Sequence, residues 1–159
     1  MLEGKPTVLS EIDKFLYKAD NVLKEAKNLK ASNQCDLCVR RAREAFELYL
    51  ETIFHYIGEE YPKSHDVEQQ IYEISNLLKQ YYVEPKSVAQ IVLRNQVLNL
   101  WREPRFYGDE KLGASKIFTE NEAKLALLYA EELCSICKRI QYYEYEATKT
   151  WPIYDKVYT

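Results

Sequence analysis

Apolar residues recur every three or four positions along most of the chain, which is the spacing of one face of an α-helix. Glycine and proline, four and five in number, are scarce. The pattern predicts five amphipathic helices, at about residues 10–30, 34–57, 67–82, 86–101 and 119–143. Short connections between them favour an all-α, up-and-down bundle. We expect one domain over residues 1–159, with an aromatic tail from about residue 144.

Local signals mark several helix ends. Ser10 and Asn33 are predicted to cap the first and second helices, and Gly58 to stop the second. Thr119 and Glu122 form a capping-box sequence, TENE, in which each residue can satisfy the other's free amide at the start of the fifth helix.

Two helices show an apolar stripe that we expect to be buried. On the second helix it consists of Cys35, Cys38, Val39, Ala42, Ala45, Phe46, Tyr49, Leu50, Ile53, Tyr56 and Ile57. On the fifth helix it consists of Leu125, Tyr129, Leu133, Ile136 and Ile140.

Composition narrows the class of protein. With 47% hydrophobic and 30% charged residues, a chain of 159 residues is long enough to fold around one core. A net charge of −3 gives no global basic field, so nucleic-acid binding would need a local patch. No apolar run approaches the roughly 18–20 residues that cross a bilayer, and the start MLEGKPTVLSE does not resemble a signal peptide. We therefore expect a cytoplasmic protein without a membrane partner.

Three stretches carry a resemblance to a known family. They are CDLCVRRAREAFELYLETIFHYIGEEYPKSHDVEQQI at 35–71, REPRFYG at 102–108 and FTENEAKLALLYAEEL at 118–133. In this order and spacing they resemble HEPN domains over about residues 10–140. The resemblance implies a helical bundle that forms a homodimer and binds a nucleotide or RNA. It also implies a minimal nucleotidyltransferase as partner, as in a toxin–antitoxin module, and we predict no cofactor.

Some HEPN proteins are RNA-cleaving toxins with the pattern Arg-Asn/Asp-x-x-x-His. Here the pattern begins at Arg94 and Asn95, but the histidine position holds Asn99. Histidine suits proton transfer because its pKa lies near 6.5, whereas asparagine does not titrate usefully. The substitution favours a site that binds an anion without cutting RNA. If the protein were an RNase, Arg94, Asn95, Asn99 and His65 would be its candidate catalytic residues.

A helical wheel separates these residues. It places Asn95, Asn99 and Arg102 on the polar face of the fourth helix and Arg94 on the apolar side. Because an unpaired buried charge costs several kcal/mol, Arg94 needs a partner. That partner is either a carboxylate, for which we expect the second helix, or a phosphate in a cleft between subunits.

Further along the chain, Arg102 and Arg105 could hold phosphate and Tyr107 could stack on a base, with ordinary surface solvation as the alternative for each. His65 could move a proton, but a structural role in the loop before the third helix is favoured.

Two CxxC sequences, CDLC at 35–38 and CSIC at 134–137, have three interpretations. If the second and fifth helices run antiparallel, Cys35 would face Cys137 and Cys38 would face Cys134. The four residues would then be reduced core thiols, two disulfides or a zinc site. Reduced thiols are favoured because both pairs lie on apolar helical stripes rather than in turns.

The aromatic residues Tyr142, Tyr143, Tyr145, Trp151, Tyr154 and Tyr158 predict an interface near the end of the chain. Three functional hypotheses remain: a nucleotide- or RNA-binding HEPN protein that does not cut its ligand, a metal-independent RNase toxin, and a structural or protein-interaction module. The acidic pI of about 5.6 favours the third.

Overall fold

The computed structural model describes residues 7–63, 67–102 and 118–148, and all of the secondary structure in these ranges is helical. The helices are α1 (Thr7–Ala31), α2 (Cys35–Tyr56), α3 (Val67–Glu73), α4 (Ser75–Leu78), α5 (Pro85–Leu100) and α6 (Glu120–Thr148). A 3₁₀ turn, Lys79–Tyr81, follows α4. The all-α fold is therefore confirmed. Among the described helices, none combines the length and the apolar character that crossing a membrane requires.

Helices α1 and α2 pack antiparallel, and two tyrosine–aspartate hydrogen bonds set their register. The Tyr56 hydroxyl donates to Asp13 Oδ1 and the Tyr49 hydroxyl to Asp20 Oδ1, each at 2.6 Å. Both members of the second pair lie seven residues from those of the first, so the bonds form two layers on one side of each helix. The carboxylates satisfy phenols that would otherwise be buried without a partner.

Helix α6 contributes one side chain to each of these two layers, and the order of these contacts gives the direction of α6. Gln141 Nε2 donates to Asp13 at 3.0 Å, and Lys138 Nζ lies 3.6 Å from Asp20. At the other end, the Phe118 amide donates to Asp36, at the start of α2, at 2.9 Å. Helix α6 is thus antiparallel to α1 and parallel to α2. The expected antiparallel pairing of the second and last helices is wrong: the predicted third helix is divided into α3 and α4, so three helices rather than two lie between α2 and α6.

The core lies where α1, α2 and α6 meet. The predicted stripe of α2 is buried except at its ends, where Cys35 and Ile57 are half-buried. On α6, Leu133 and Ile140 are buried as predicted, but Leu125 is exposed. Of the aromatic residues near the end of α6, Tyr145 is buried, Tyr143 half-buried and Tyr142 exposed, while Trp151, Tyr154 and Tyr158 lie outside the described residues.

The observed helix ends confirm some of the predicted capping and stop residues and contradict others. At the start of α6 the Glu122 amide donates to Thr119 Oγ1 at 3.2 Å and the Thr119 amide to Glu122 Oε1 at 2.8 Å, which is the predicted capping box. Gly58 ends α2 with a left-handed φ of 77°. Asn33 does not cap α2; with φ 62° it closes the end of α1, where its amide donates to the Lys30 carbonyl.

The boundaries of three helices differ from the prediction. The first begins at Thr7 rather than Ser10, and the last extends to Thr148. The predicted helix over 67–82 is divided at Ile74 into α3 and α4, and a left-handed Tyr82 then stops the 3₁₀ turn. The break precedes Ser75 and Asn76, two weak helix formers, which makes an interruption inexpensive there.

Candidate anion-binding cleft

Arg94 lies on the side of α5 that faces α6. Its guanidinium forms an ion pair with Glu132 and lies over the Tyr129 ring, 5.0 Å from the ring centre. The Arg94 side chain is 23% exposed, so part of the guanidinium remains open to solvent. A carboxylate from the second helix was one of the two partners that the sequence left open, the other being a phosphate. The carboxylate comes from α6 instead, because α5 packs with its Arg94 side against α6.

An open cleft of about 210 Å³ runs beside this ion pair between α5 and α6. Its polar side chains are Ser87, Gln90, Arg94, Tyr129, Glu132, Ser135 and Arg139, and its apolar ones are Phe46, Ile91, Leu133 and Ile136. Arg139 is held by a hydrogen bond from Nη1 to the Tyr82 carbonyl at 3.1 Å. Because complete small-molecule sites occupy roughly 300–1,000 Å³, this cleft fits a phosphate-sized group rather than an entire nucleotide.

Asn95 points away from this cleft. Its side chain is buried, and Nδ2 donates to Glu68 Oε1 of α3 at 3.1 Å. The sequence placed Asn95 on the polar face of this helix with Asn99 and Arg102; at Asn95 that face is covered by α3. Asn99 is half-buried one helical turn further on.

Arg102 is an exposed residue at the end of α5. Its Nη1 lies 3.9 Å from Glu47 of α2, a carboxylate that also pairs with Arg43 at 3.2 Å. The structure thus places Arg94 beside α6, but Asn95 beside α3 and Arg102 beside α2. One helix presents these candidate residues to different neighbours, so they do not form a single site within one chain.

A comparison with protein-family models matches the HEPN domain over residues 12–140. The chain belongs to the HEPN domain family. No curated protein and no solved structure matched it. The family match covers α2, α3, α4, α5 and the greater part of α6, and therefore both walls of the cleft.

Three candidates of the HEPN site lie outside the described residues: His65, Arg105 and Tyr107. Among the cleft residues that the structure describes, the ionisable side chains are Arg94, Tyr129, Glu132 and Arg139. No histidine, the side chain best suited to carry a proton near neutral pH, is among these described cleft residues.

The cysteines of this HEPN chain are free thiols that the parallel arrangement of α2 and α6 separates. Cys137 Sγ lies 3.4 Å from the carbonyl of Tyr49, which is fourteen residues, or about 21 Å, beyond Cys35 on α2. The predicted pairings of Cys35 with Cys137 and of Cys38 with Cys134 are therefore wrong. No group of three potential metal-ligating side chains occurs within 7–63, 67–102 and 118–148.

Burial keeps three of the thiols, those of Cys38, Cys134 and Cys137, protonated. It raises the pKa of Cys38 to about 11 and raises the pKa of Cys137 well above its ordinary value. Desolvation likewise raises the pKa of Cys134, whose Sγ lies 3.6 Å from Asp20. Because the thiolate is the nucleophile and metal ligand, these cysteines act as core side chains in this environment.

The sequence did not single out Glu132 or Arg139, the charged residues of α6 that complete the cleft. Their seven-residue separation places them on one helical face, and this signal was available. What the sequence could not show is that this face of α6 meets Arg94 of α5.

Proposed function

We propose that this HEPN protein binds a phosphate-bearing ligand, a nucleotide or an RNA strand, at the α5–α6 cleft and does not cut it. The observation that carries the proposal is the Arg94 guanidinium, which is held in place by Glu132 and Tyr129 yet remains partly open to the cleft. A positioned, partly desolvated guanidinium binds phosphate more strongly than a mobile surface arginine.

The other cleft residues support the same ligand chemistry. Arg139 adds a second positive charge, and Ser87, Gln90 and Ser135 offer neutral hydrogen-bond donors. The size of the cleft suits one phosphate group, so the base and sugar of a nucleotide would lie outside it. An RNA strand could place one of its phosphates in the cleft and continue over the surface of the protein.

The absence of cutting rests on Asn99. RNA cleavage through the 2′-hydroxyl requires a group that takes or gives a proton, and an amide at this position of the HEPN pattern does neither. A minimal nucleotidyltransferase partner is expected from the family resemblance alone, and we include it in the proposal on that ground.

The test is a titration of fluorescently labelled oligoribonucleotide, and separately of ATP, at low salt. We expect Arg94→Ala to weaken binding by roughly 10–100-fold, which is the usual worth of a charge-assisted hydrogen bond. Arg41→Ala is the matched control, because Arg41 pairs with Glu25 and Glu44 on a different surface of the bundle. No binding by the wild type, or equal losses in the two variants, would contradict the site.

The same protein, treated with chelator and incubated with RNA, tests the catalytic alternative. Strand scission that Arg94→Ala abolishes would establish an RNase and remove the non-cutting proposal.

A protein-interaction module is the second candidate, and one observation favours it: the Arg94 charge is already matched by Glu132 within the chain. If neither RNA nor ATP binds while the fold is intact, this internal ion pair is structural and the module is the better interpretation.

A further inference from the structure

Three tyrosines form an exposed row where the segment before α5 meets α6. We call this row, Tyr82, Tyr142 and Tyr143, the aromatic platform. The Tyr143 ring centre lies 5.2 Å from that of Tyr82 and 5.1 Å from that of Tyr142, and the ring planes are tilted by 49° and 55°. Tyr82 is 68% exposed and Tyr142 47% exposed, so the row borders solvent rather than the core. Contiguous exposed aromatic surface marks an interaction site, whereas scattered single residues do not.

The backbone of Tyr82 is the strained part of the aromatic platform. Its φ of 62° is left-handed, and it ends the 3₁₀ turn that follows α4. Of the left-handed residues that the structure describes, Asn33 and Gly58 adopt this conformation readily, whereas a bulky tyrosine is strained. An asparagine or a glycine would end the turn without this strain. The turn therefore does not explain a ring at this position, and strained residues cluster at binding sites.

Arg139 joins the aromatic platform to the α5–α6 cleft. Its side chain lines the cleft, and its Nη1 donates a hydrogen bond to the Tyr82 carbonyl at 3.1 Å. The side chain is exposed, and its other N–H groups are donors suited to a phosphate oxygen. Because one guanidinium contacts both regions, a phosphate held by Arg139 and a flat group held by Tyr82 would be neighbours.

The aromatic platform and the cleft offer two different kinds of chemistry. The phenol rings present flat, polarisable faces, which suit an uncharged planar group. Glu144, the acid that follows Tyr143 in the chain, accepts a hydrogen bond from the Tyr81 hydroxyl. The positive charges, Arg94 and Arg139, lie in the cleft and attract a phosphate there. A nucleotide unit has the same division, with a flat base at one end and a charged phosphate at the other.

We propose that the aromatic platform stacks an unpaired nucleobase whose phosphate occupies the α5–α6 cleft. This inference rests on the proposed function and names the part of the ligand that lies outside the cleft. The base must be unpaired, because a base inside a duplex is already stacked on both faces. Stacking on aromatic rings tolerates any base, so the platform selects single-stranded ligands rather than one sequence. Such a base belongs either to a free nucleotide or to a single-stranded RNA.

The first test compares a labelled oligoadenylate with an abasic ribose-phosphate strand of the same length, both at low salt. We expect the wild type to bind the strand with bases roughly tenfold more tightly, the usual worth of one stacked base. Tyr82→Asn should lose most of this preference, because it removes the ring, while Tyr82→Phe should keep it. Tyr17→Ala is the matched control, since Tyr17 on α1 is 69% exposed.

The outcomes separate the aromatic platform from the cleft. Equal binding of the two strands by the wild type, or an unchanged preference in Tyr82→Asn, overturns the platform and leaves the Arg94 site standing. A loss of preference in Tyr17→Ala overturns it as well. If the wild type binds neither strand, the proposed function itself fails. Because asparagine tolerates the left-handed backbone, Tyr82→Asn should resist urea at least as well as the wild type, which distinguishes loss of the ring from loss of the fold.

A fluorescent base reports stacking directly. The emission of 2-aminopurine in an oligouridylate strand should fall when the wild type binds, because stacking on an aromatic ring quenches it. The fall should be much smaller with saturating Tyr82→Asn, and unchanged emission with saturating wild type overturns the proposal. Competition then identifies the source of the base: AMP that competes as well as the strand indicates a free nucleotide, and weaker competition by AMP indicates RNA. Duplex RNA that competes as well as the single strand also overturns the proposal.

Discussion

At the scale of single residues, Glu132 controls how much of the Arg94 charge is available to a ligand. The Glu132 side chain is 40% exposed, so the ion pair lies at the rim of the cleft rather than in the core. Ion pairs in such positions contribute about 0–1 kcal/mol, because water already stabilises both charges. The carboxylate therefore positions the guanidinium while it repels an incoming phosphate.

Replacing that carboxylate by an amide of the same shape should strengthen anion binding. For Glu132→Gln we expect ATP or oligoribonucleotide affinity to rise about fivefold at low salt, the equivalent of roughly 1 kcal/mol, and the gain to shrink at high salt. Fluorescence anisotropy measures both conditions. Glu131→Gln is the control, because Glu131 pairs with Lys27 on the α1 side at 3.6 Å.

Weaker binding after Glu132→Gln would mean that the carboxylate helps the ligand, for example by holding Arg94 in place. Equal gains in both variants would mean that only net charge matters.

At the scale of elements, left-handed residues stop three helical segments of the bundle. Gly58, Asn33 and Tyr82 each donate an amide hydrogen bond to the carbonyl three residues earlier, and the following residue donates to the carbonyl five residues before it. This pattern satisfies two carbonyls that would otherwise lack partners. Glycine and asparagine adopt the conformation readily, whereas a tyrosine does so under strain.

Gly58→Ala isolates this conformational requirement. A methyl group at Gly58 would meet no atom within 4 Å, so its cost comes from the left-handed backbone alone, about 1–2 kcal/mol. We expect urea unfolding to shift by that amount, and Gly58→Asn to cost less because asparagine tolerates this conformation. Equal stability of the alanine variant and the wild type would show that the α2 end rearranges.

The division of the predicted third helix shows the limit of local signals. Apolar spacing continues across Ile74, and the backbone hydrogen bonds from Ile74 to Gln70 and from Leu78 to Ile74 remain. Packing of α3 on α5 and of the 3₁₀ turn on α6 determines where the segment turns. Contacts between residues far apart in the chain thus decide the position of a helix boundary that helix propensity alone does not fix.

At the scale of the whole molecule, buried phenols hold the helices in register and make the fold sensitive to alkali. Burial, and next the hydrogen bonds to Asp20 and Asp13, raise the pKa of Tyr49 and of Tyr56 well above the usual range. Desolvation raises the pKa of Tyr61 to about 12. A phenol whose folded pKa exceeds its unfolded pKa stabilises the protein while it is protonated, below about pH 10.

Unfolding free energy should therefore be level through neutral pH and fall as pH rises above about 10. Each protonated phenol that ionises on unfolding adds a slope of about 1.4 kcal/mol per pH unit. The pKa of the Cys38 thiol is raised to about 11, so the unfolding free energy begins to decline at a slightly lower pH than the phenols alone would cause. Urea denaturation between pH 7 and 11 measures the effect.

Tyr56→Phe should flatten this decline, although it removes the bond to Asp13 and lowers stability at pH 7 by about 1 kcal/mol. Tyr82→Phe, at an exposed position, should leave the slope unchanged. A wild type equally stable at pH 7 and pH 11 would contradict the role of the buried phenols.

The candidate site shows how far sequence reasoning reaches on this molecule. The chemistry of Arg94 was readable, including its need for a partner, because an arginine on an apolar helical side is unusual. Its partner was not readable, since Glu132 lies 38 positions later on a helix whose direction depends on everything between. Asn95 was assigned to the polar face of its helix, but a helical wheel cannot show that α3 covers that face.

The sequence by itself determined the local features of this protein: helices with apolar stripes, the capping box at Thr119, the stop at Gly58, and enough family pattern to identify a HEPN domain. Tertiary structure decided the direction of α6, the separation of the cysteine pairs and the meeting of Arg94 with Glu132. The physical reason is the range of the forces involved. Helix formation and capping depend on residues within about four positions, whereas the neighbours of a side chain depend on how all the helices share one core.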